Sequence, residues 1–347
     1  MKTFQRIALT AACLGLAVAA SAATEISGAG ATFPYPIYAK WADAYKKLTG
    51  VGLNYQSIGS GGGIKQIKAK TVTFGASDMP LKPDDLKAAG LLQFPMIIGG
   101  VVPVVHIAGI GPGQLHLDGA TVAEIYMGDI AKWDDAKIKK LNPALKLPST
   151  AIAPVYRSDG SGTNFLFTDY LSKSSPKFSS SVGEATSVQW PIGIGAKGNE
   201  GVANMTAQTD GAIGYVEYAY AMQNKMAYAD LRNKSGAVVA PSAEAFQAAA
   251  ANADWAKADS YYVILTDQPG AKSWPITGAS FILMYKEPSD SAQVDAALKF
   301  FAWAYKDGAA MAAELDYVPM PASVIALVKK TWSTDITSGG HPVWTGQ

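Results

Sequence analysis

YRSDGSGTNFLF, residues 156–167, decides the fold. Val155 to Arg157 reads as the end of a strand, and Thr163 to Leu171 has the apolar spacing of a helix. Between them Asp159-Gly160-Ser161-Gly162-Thr163 is a tight turn of small residues. A strand that turns on glycines into a helix is the repeating step of an α/β protein. It is also a ready cradle for an anion, because the first turn of a helix leaves N–H groups free at its positive end. The same stretch admits a second reading, a loop presenting a catalytic serine.

The step occurs twice more. Gly28-Ala29-Gly30-Ala31-Thr32-Phe33-Pro34 precedes a run to Thr49 with Ile37, Trp41, Tyr45 and Leu48 on one helical face. Leu53 to Ile58 is strand-like and leads through Gly59-Ser60-Gly61-Gly62-Gly63 into a helical Ile64 to Ile67. Each loop offers N–H groups, a hydroxyl and glycines that let backbone approach a ligand. Further strands are expected at Thr71 to Ala76 and Phe281 to Tyr285. Helices are expected at Ser242 to Ala253 and Asp290 to Tyr305, and Phe94 to Ile107 reads as a buried strand pair or crossover around Gly99-Gly100.

Arg157 supplies a planar fork suited to two oxygens of a tetrahedral oxyanion, and Asp159 could brace it. Asp159 could equally be a turn or N-cap residue. Asp78 is the unexpected member, since a carboxylate repels an anion. It makes sense if the anion carries a proton to donate, as phosphate does and sulfate at neutral pH does not. Its alternative is a plain cap on the following turn.

The rest of the chain bounds the function. Lys2 and Arg6, the apolar Leu9 to Ala20 and the small-x-small Ala20-Ser21-Ala22 read as a cleaved secretory signal over residues 1–22, with a membrane anchor or lipoprotein signal at Cys13 as the alternatives. Cys13 is the single cysteine, so the mature chain has no disulfide and no thiol chemistry. The roughly 325 residues after the signal exceed the usual single domain, so two lobes are expected. Formal charge falls from +1 to −1 without Lys2 and Arg6, and no long basic run invites nucleic acid.

Four further readings fare worse. Ser60 or Ser161 as a hydrolase nucleophile lacks a base, because His106, His116 and His341 lie in no triad context and neither serine has a Gly-x-Ser-x-Gly elbow. Gly193-Ile-Gly195-Ala-Lys-Gly198 matches a dinucleotide fingerprint, with Glu217 near the later acidic position, but Pro191 just ahead spoils the context. Scattered histidines give no metal spacing, and no cofactor is expected. The tyrosines and tryptophans, Trp41 and Tyr45 among them, read as core rather than as carbohydrate platforms.

At these loops the chain resembles the periplasmic phosphate-binding protein of the high-affinity phosphate ABC transporter. The resemblance runs through GAGATFP (28–34), NYQSIGSGGGIKQI (54–67), FGASDMPL (74–81), QFPMIIGGVV (93–102), DGSGTNF (159–165), GAIGYVEYAYA (211–221) and LDYVPMP (315–321). It implies a two-lobed type II periplasmic-binding-protein fold, each lobe a mixed, mainly parallel sheet flanked by helices around a hinge. The lobes would be 23–104 with 270–347, and 105–269. It also implies that phosphate is bound by Thr32, Phe33, Ser60, Asp78, Arg157, Ser161, Gly162 and Thr163, with Asp159 behind Arg157. The implied protein is a monomeric, non-enzymatic receptor that hands inorganic phosphate to an inner-membrane permease. Receptors for sulfate, molybdate or arsenate are the near alternatives.

Overall fold

The computed structural model describes residues 25–346, so the expected signal at 1–22 lies outside the described residues. Twelve strands form one curled mixed sheet: β1 (Glu25–Gly30), β2 (Gly52–Ser57), β3 (Phe74–Ser77), β4 (Leu91–Val105), β5 (Leu115–Asp118), β6 (Ala153–Arg157), β7 (Ile194–Ala196), β8 (Ala212–Glu217), β9 (Ala227–Arg232), β10 (Val238–Val239), β11 (Thr277–Tyr285) and β12 (Val318–Pro319). The main path is β2-β1-β3-β11-β4-β8-β6-β7. At one end β1 pairs in parallel with β2 and β3, and at the other β6 pairs in parallel with β7 and β8. The antiparallel partners β11 and β4 join them.

β4 is the residue run expected as a strand pair or crossover, and it is one continuous fifteen-residue strand buried throughout. Its first part, to Gly100, pairs with β11, and Val101 to Val105 pairs with β8. Valine and isoleucine favour this pleated, doubly covered setting. Pro95, which has no N–H to give, sits where the register with β11 shifts. Gly99 and Gly100 are required by space. A Cβ on Gly100 would stand 2.1 Å from the Phe246 ring, and one on Gly99 would stand 2.9 Å from the ring of Phe33.

The parallel pairs need crossovers, which the helices Tyr35–Thr49 and Ser60–Lys68 provide. The first buries Ile37, Tyr38, Trp41 and Tyr45, whereas Leu48, expected on that face, is 68% exposed. Tyr38 takes the inner position because the face curves with the 3.6-residue period, and Leu48 falls in the last turn beyond the edge of the core. Expected strands and helices elsewhere hold with shifted ends: the helix after the opening motif runs Gly162–Ser174, and the later ones Ala243–Ala250 and Ser291–Lys306. Among the described residues no helix is long and apolar enough to cross a membrane.

Candidate functional site

The three glycine loops converge at the ends of β1, β2 and β6, joined by the end of β3. In the first loop, tyrosine hydroxyls donate to three consecutive carbonyls. Tyr55 takes Ala31 O at 2.7 Å, Tyr220 takes Thr32 O at 2.6 Å and Tyr317 takes Phe33 O at 2.6 Å. Among the described residues no acceptor takes the N–H of Phe33, which leaves it free for a ligand.

In the second loop, the N–H groups of Ile58 and Gly59 both donate to Gly30 O, and Gly59 adopts φ +86°, a left-handed conformation suited to glycine. Ser60 follows, fully buried, at the first turn of its helix. Its Oγ accepts from Gly162 N–H at 3.0 Å and from Asp78 N–H at 3.2 Å. A hydroxyl with both lone pairs engaged has only its proton left to offer.

The third loop carries the charge. Arg157, 2% exposed, donates from Nε to Asp159 Oδ1 at 2.8 Å and from Nη2 to Asp159 Oδ2 at 2.7 Å. Its remaining nitrogen, Nη1, is buried without a partner. Burial alone would raise the Asp159 carboxyl. The Arg157 hydrogen bond and charge, with the Gly198 N–H at 3.1 Å, outweigh it and hold the group below its ordinary value. Asp159 is therefore an ion-pair partner here, and the N-cap is Ser161, whose Oγ accepts from Asn164 N–H at 3.0 Å.

Asp78 follows β3 and is 1% exposed. It caps no turn, since the next helix begins at Pro83 behind Lys82. Its Oδ1 is buried without a partner. Burial pushes its carboxyl up to about 7, while the Ser280 hydroxyl, the Arg157 guanidinium and the Ser60 hydroxyl pull the other way. Ser280 acts by proximity, as its Oγ makes no hydrogen bond of good geometry. The site thus unites one unsatisfied acceptor with one unsatisfied cationic donor amid hydroxyls and amides. Leaving such groups unpaired in a buried place costs free energy that a matching ligand recovers.

All eight residues expected to touch a ligand lie here, and Thr32, Phe33, Ser60, Asp78, Arg157, Ser161 and Thr163 are each at most 2% exposed. The structure adds Glu217, which stood near the acidic position of the cofactor fingerprint, and Asn199, one residue past its last glycine. Glu217 is fully buried. Its Oε2 accepts from Ala219 N–H at 2.9 Å and lies 2.8 Å from Tyr317 Oη, whose single proton it shares with Phe33 O, and burial raises its carboxyl well above the ordinary value. In the glycine run, β7 occupies the middle of the fingerprint where a dinucleotide fold needs the turn. No histidine contacts Ser60 or Ser161 among the described residues, and His106 is exposed just past β4 rather than within the strand as expected. A surface groove of about 700 Å³, lined by Trp255, Tyr261 and Leu327 among others, contains none of the site residues.

The profile of the PBP superfamily domain matches residues 17–307. Phosphate-binding protein PstS of Pasteurella multocida is 54% identical over 323 residues, covering 93% of this chain and 94% of that protein. Among solved structures, a phosphate-binding protein from Stenotrophomonas maltophilia superposes with a TM-score of 0.69 at 23% identity, covering 92% of this chain and 96% of that one. A high-affinity periplasmic phosphate-binding protein, PfluDING, solved with phosphate bound, gives 0.71 at 21% identity, covering 93% and 98%.

Proposed function

The chain belongs to the PstS phosphate-binding proteins of the PBP superfamily, and from that membership we propose that it captures inorganic phosphate in the periplasm and delivers it to an inner-membrane ABC permease. It is a receptor and performs no covalent chemistry. The fold is the two-lobed type II arrangement. We place the lobes at 23–104 with 270–347, and at 105–269, so that the site falls between them. Gly61 N–H to Gly160 O at 2.9 Å and Gly162 N–H to Ser60 Oγ at 3.0 Å would then cross the cleft. A ligand gripped from both sides favours the closed state by its differential contacts, which is what closure requires.

One observation carries the phosphate reading: Asp78 Oδ1 and Arg157 Nη1 are both buried and both unpartnered. Monohydrogen phosphate satisfies the pair, giving its proton to Asp78 and an oxygen to Arg157. The other oxygens take the Phe33 and Thr163 amides and the hydroxyls of Thr32, Ser60, Ser161 and Thr163, while the Gly162 N–H is held by Ser60 Oγ and lines the site. Sulfate has the same shape but no proton, so ionised Asp78 would face an oxygen lone pair. Sites with one required donor reject the analogue lacking it by roughly 10⁴ or more. Asp159, by keeping Arg157 in place, spares the guanidinium from chasing its own partner. The protein is expected to act as a monomer, with the permease as its docking partner. Calorimetric titration with phosphate and sulfate side by side tests the reading, and equal affinity for both would remove it. Turnover of a phosphomonoester would point instead to a hydrolase.

A further inference from the structure

The glycine run ending at Gly198 has a use that the phosphate site has not yet absorbed. Gly198 adopts φ +75° and opens the helix Gly198–Gln208, placing Asn199 in its first turn, fully buried. Asn199 joins three segments far apart in sequence. Its backbone N–H and its Nδ2 donate to Thr32 Oγ1 at 3.2 and 2.7 Å, its Nδ2 also donates to Thr163 Oγ1 at 3.1 Å, and its Oδ1 accepts from Glu217 N–H at 2.9 Å.

The amide cannot be turned over. Glu217 N–H is a donor only, so the oxygen must face it and the NH₂ must face the threonines. The consequence falls on the hydroxyls. Thr32 Oγ1 receives two N–H groups and Thr163 Oγ1 receives one, so the Asn199 side is closed to both hydroxyl protons. With both lone pairs engaged, Thr32 has only its proton left to offer a ligand, and Thr163 keeps its proton and one lone pair on the sides away from Asn199.

We propose that Asn199 is the positioning residue that fixes Thr32 and Thr163 as donors to the anion and ties the two threonines together in the closed form. This rests on the phosphate reading of the site. A hydroxyl left alone rotates among three staggered positions and can turn a lone pair inward. Holding it in the donating position before the ligand arrives removes that cost from binding. With Thr32 held as a donor, Asp78 Oδ1 remains the carboxylate acceptor facing Arg157 for a protonated anion.

A double-mutant cycle tests the inference, with phosphate affinity measured by calorimetry on the full-length mature protein. Asn199→Ala is expected to weaken phosphate by about tenfold or more, the effect of losing one or two directed hydrogen bonds. Thr32→Val is expected to cost less in the Asn199→Ala background than in wild type, because the unlocked hydroxyl was already donating poorly. A residue that merely supports the fold would give additive losses. Asn199→Asp keeps the size and the bond from Glu217 N–H but offers the threonines a carboxylate to donate to, so it should bind phosphate more weakly than Asn199→Ala. Should Asn199→Ala fail to fold, Asn199→Asp replaces it in the cycle. Wild-type affinity in either variant, or additive losses throughout, overturns the proposal while leaving the phosphate reading intact. Absence of phosphate binding by the wild-type protein removes both.

Discussion

Gly162 meets Asp78 so closely that a Cβ on Gly162 would stand 2.6 Å from the Cβ of Asp78, and 2.6 Å from Ser60 Oγ. The φ of Gly162 is not in the left-handed region, so space and not conformational freedom excludes a side chain here. The start of the helix Gly162–Ser174 is thereby docked on the loop that carries Asp78.

Gly162→Ala is accordingly expected to hold the two sides apart. Phosphate affinity should fall about a hundredfold or more, since contacts shared between the sides are lost together. The melting temperature of the ligand-free protein should change by only a few degrees, because the open form relieves the clash. Calorimetry with a thermal melt checks both, and unchanged affinity would show that the cleft has slack at this point.

Arg157→Ala removes the buried fork that faces the anion and strands Asp159. Loss of a charge-assisted donor of this kind should weaken phosphate by about 3 kcal/mol or more. Asp159→Asn should cost less, about tenfold, because the guanidinium remains but loses its aim. The order of the two effects is the informative result. A larger loss in Asp159→Asn would mean that Asp159, not Arg157, sets the site.

The ligand-free protein should lose stability as pH rises. Asp78 has its carboxyl raised from 3.8 to about 7, so the folded state holds a proton that the unfolded state releases. Its contribution is complete below about pH 4 and is lost as pH climbs through about 7. The sum is a few kcal/mol at about 1.4 kcal/mol per unit. Glu217 is raised as well, so Asp78→Asn should flatten part of the slope and not all of it. Denaturant unfolding at intervals from pH 4 to 8 measures this, and equal slopes in the two proteins would contradict the burial argument.

Much of this site was legible because its donors are local. A strand, a glycine turn and a helix start lie within ten residues of one another, so Ser60, Arg157 and the Ser161-Gly162-Thr163 run declare themselves. Asn199 did not, because its role depends on Thr32, 167 residues away. The same holds for Tyr220 and Tyr317, which hold the carbonyls of Thr32 and Phe33 across 188 and 284 residues. The glycine pattern at 193–198 drew attention to the right turn, but comparison with a cofactor fingerprint looked for a pyrophosphate there. An amide at the start of a helix that follows a positive-φ glycine was the available signal. The double role of β4 was hidden for a related reason: an unbroken apolar run records burial, not which partner each half pairs with.

The central claim is that Asp78 tests the anion for a proton, and sulfate and phosphate affinities measured together from pH 5 to 9 examine it most directly. Neutral Asp78 can lend sulfate the proton that sulfate lacks. Sulfate affinity in the wild-type protein should therefore level off below about pH 7 and weaken by about tenfold per unit above it. In Asp78→Asn sulfate affinity should no longer follow pH, and the gap between the two anions at pH 8 should narrow by about a hundredfold or more. A phosphate-to-sulfate ratio that is the same in both proteins at every pH would contradict the account.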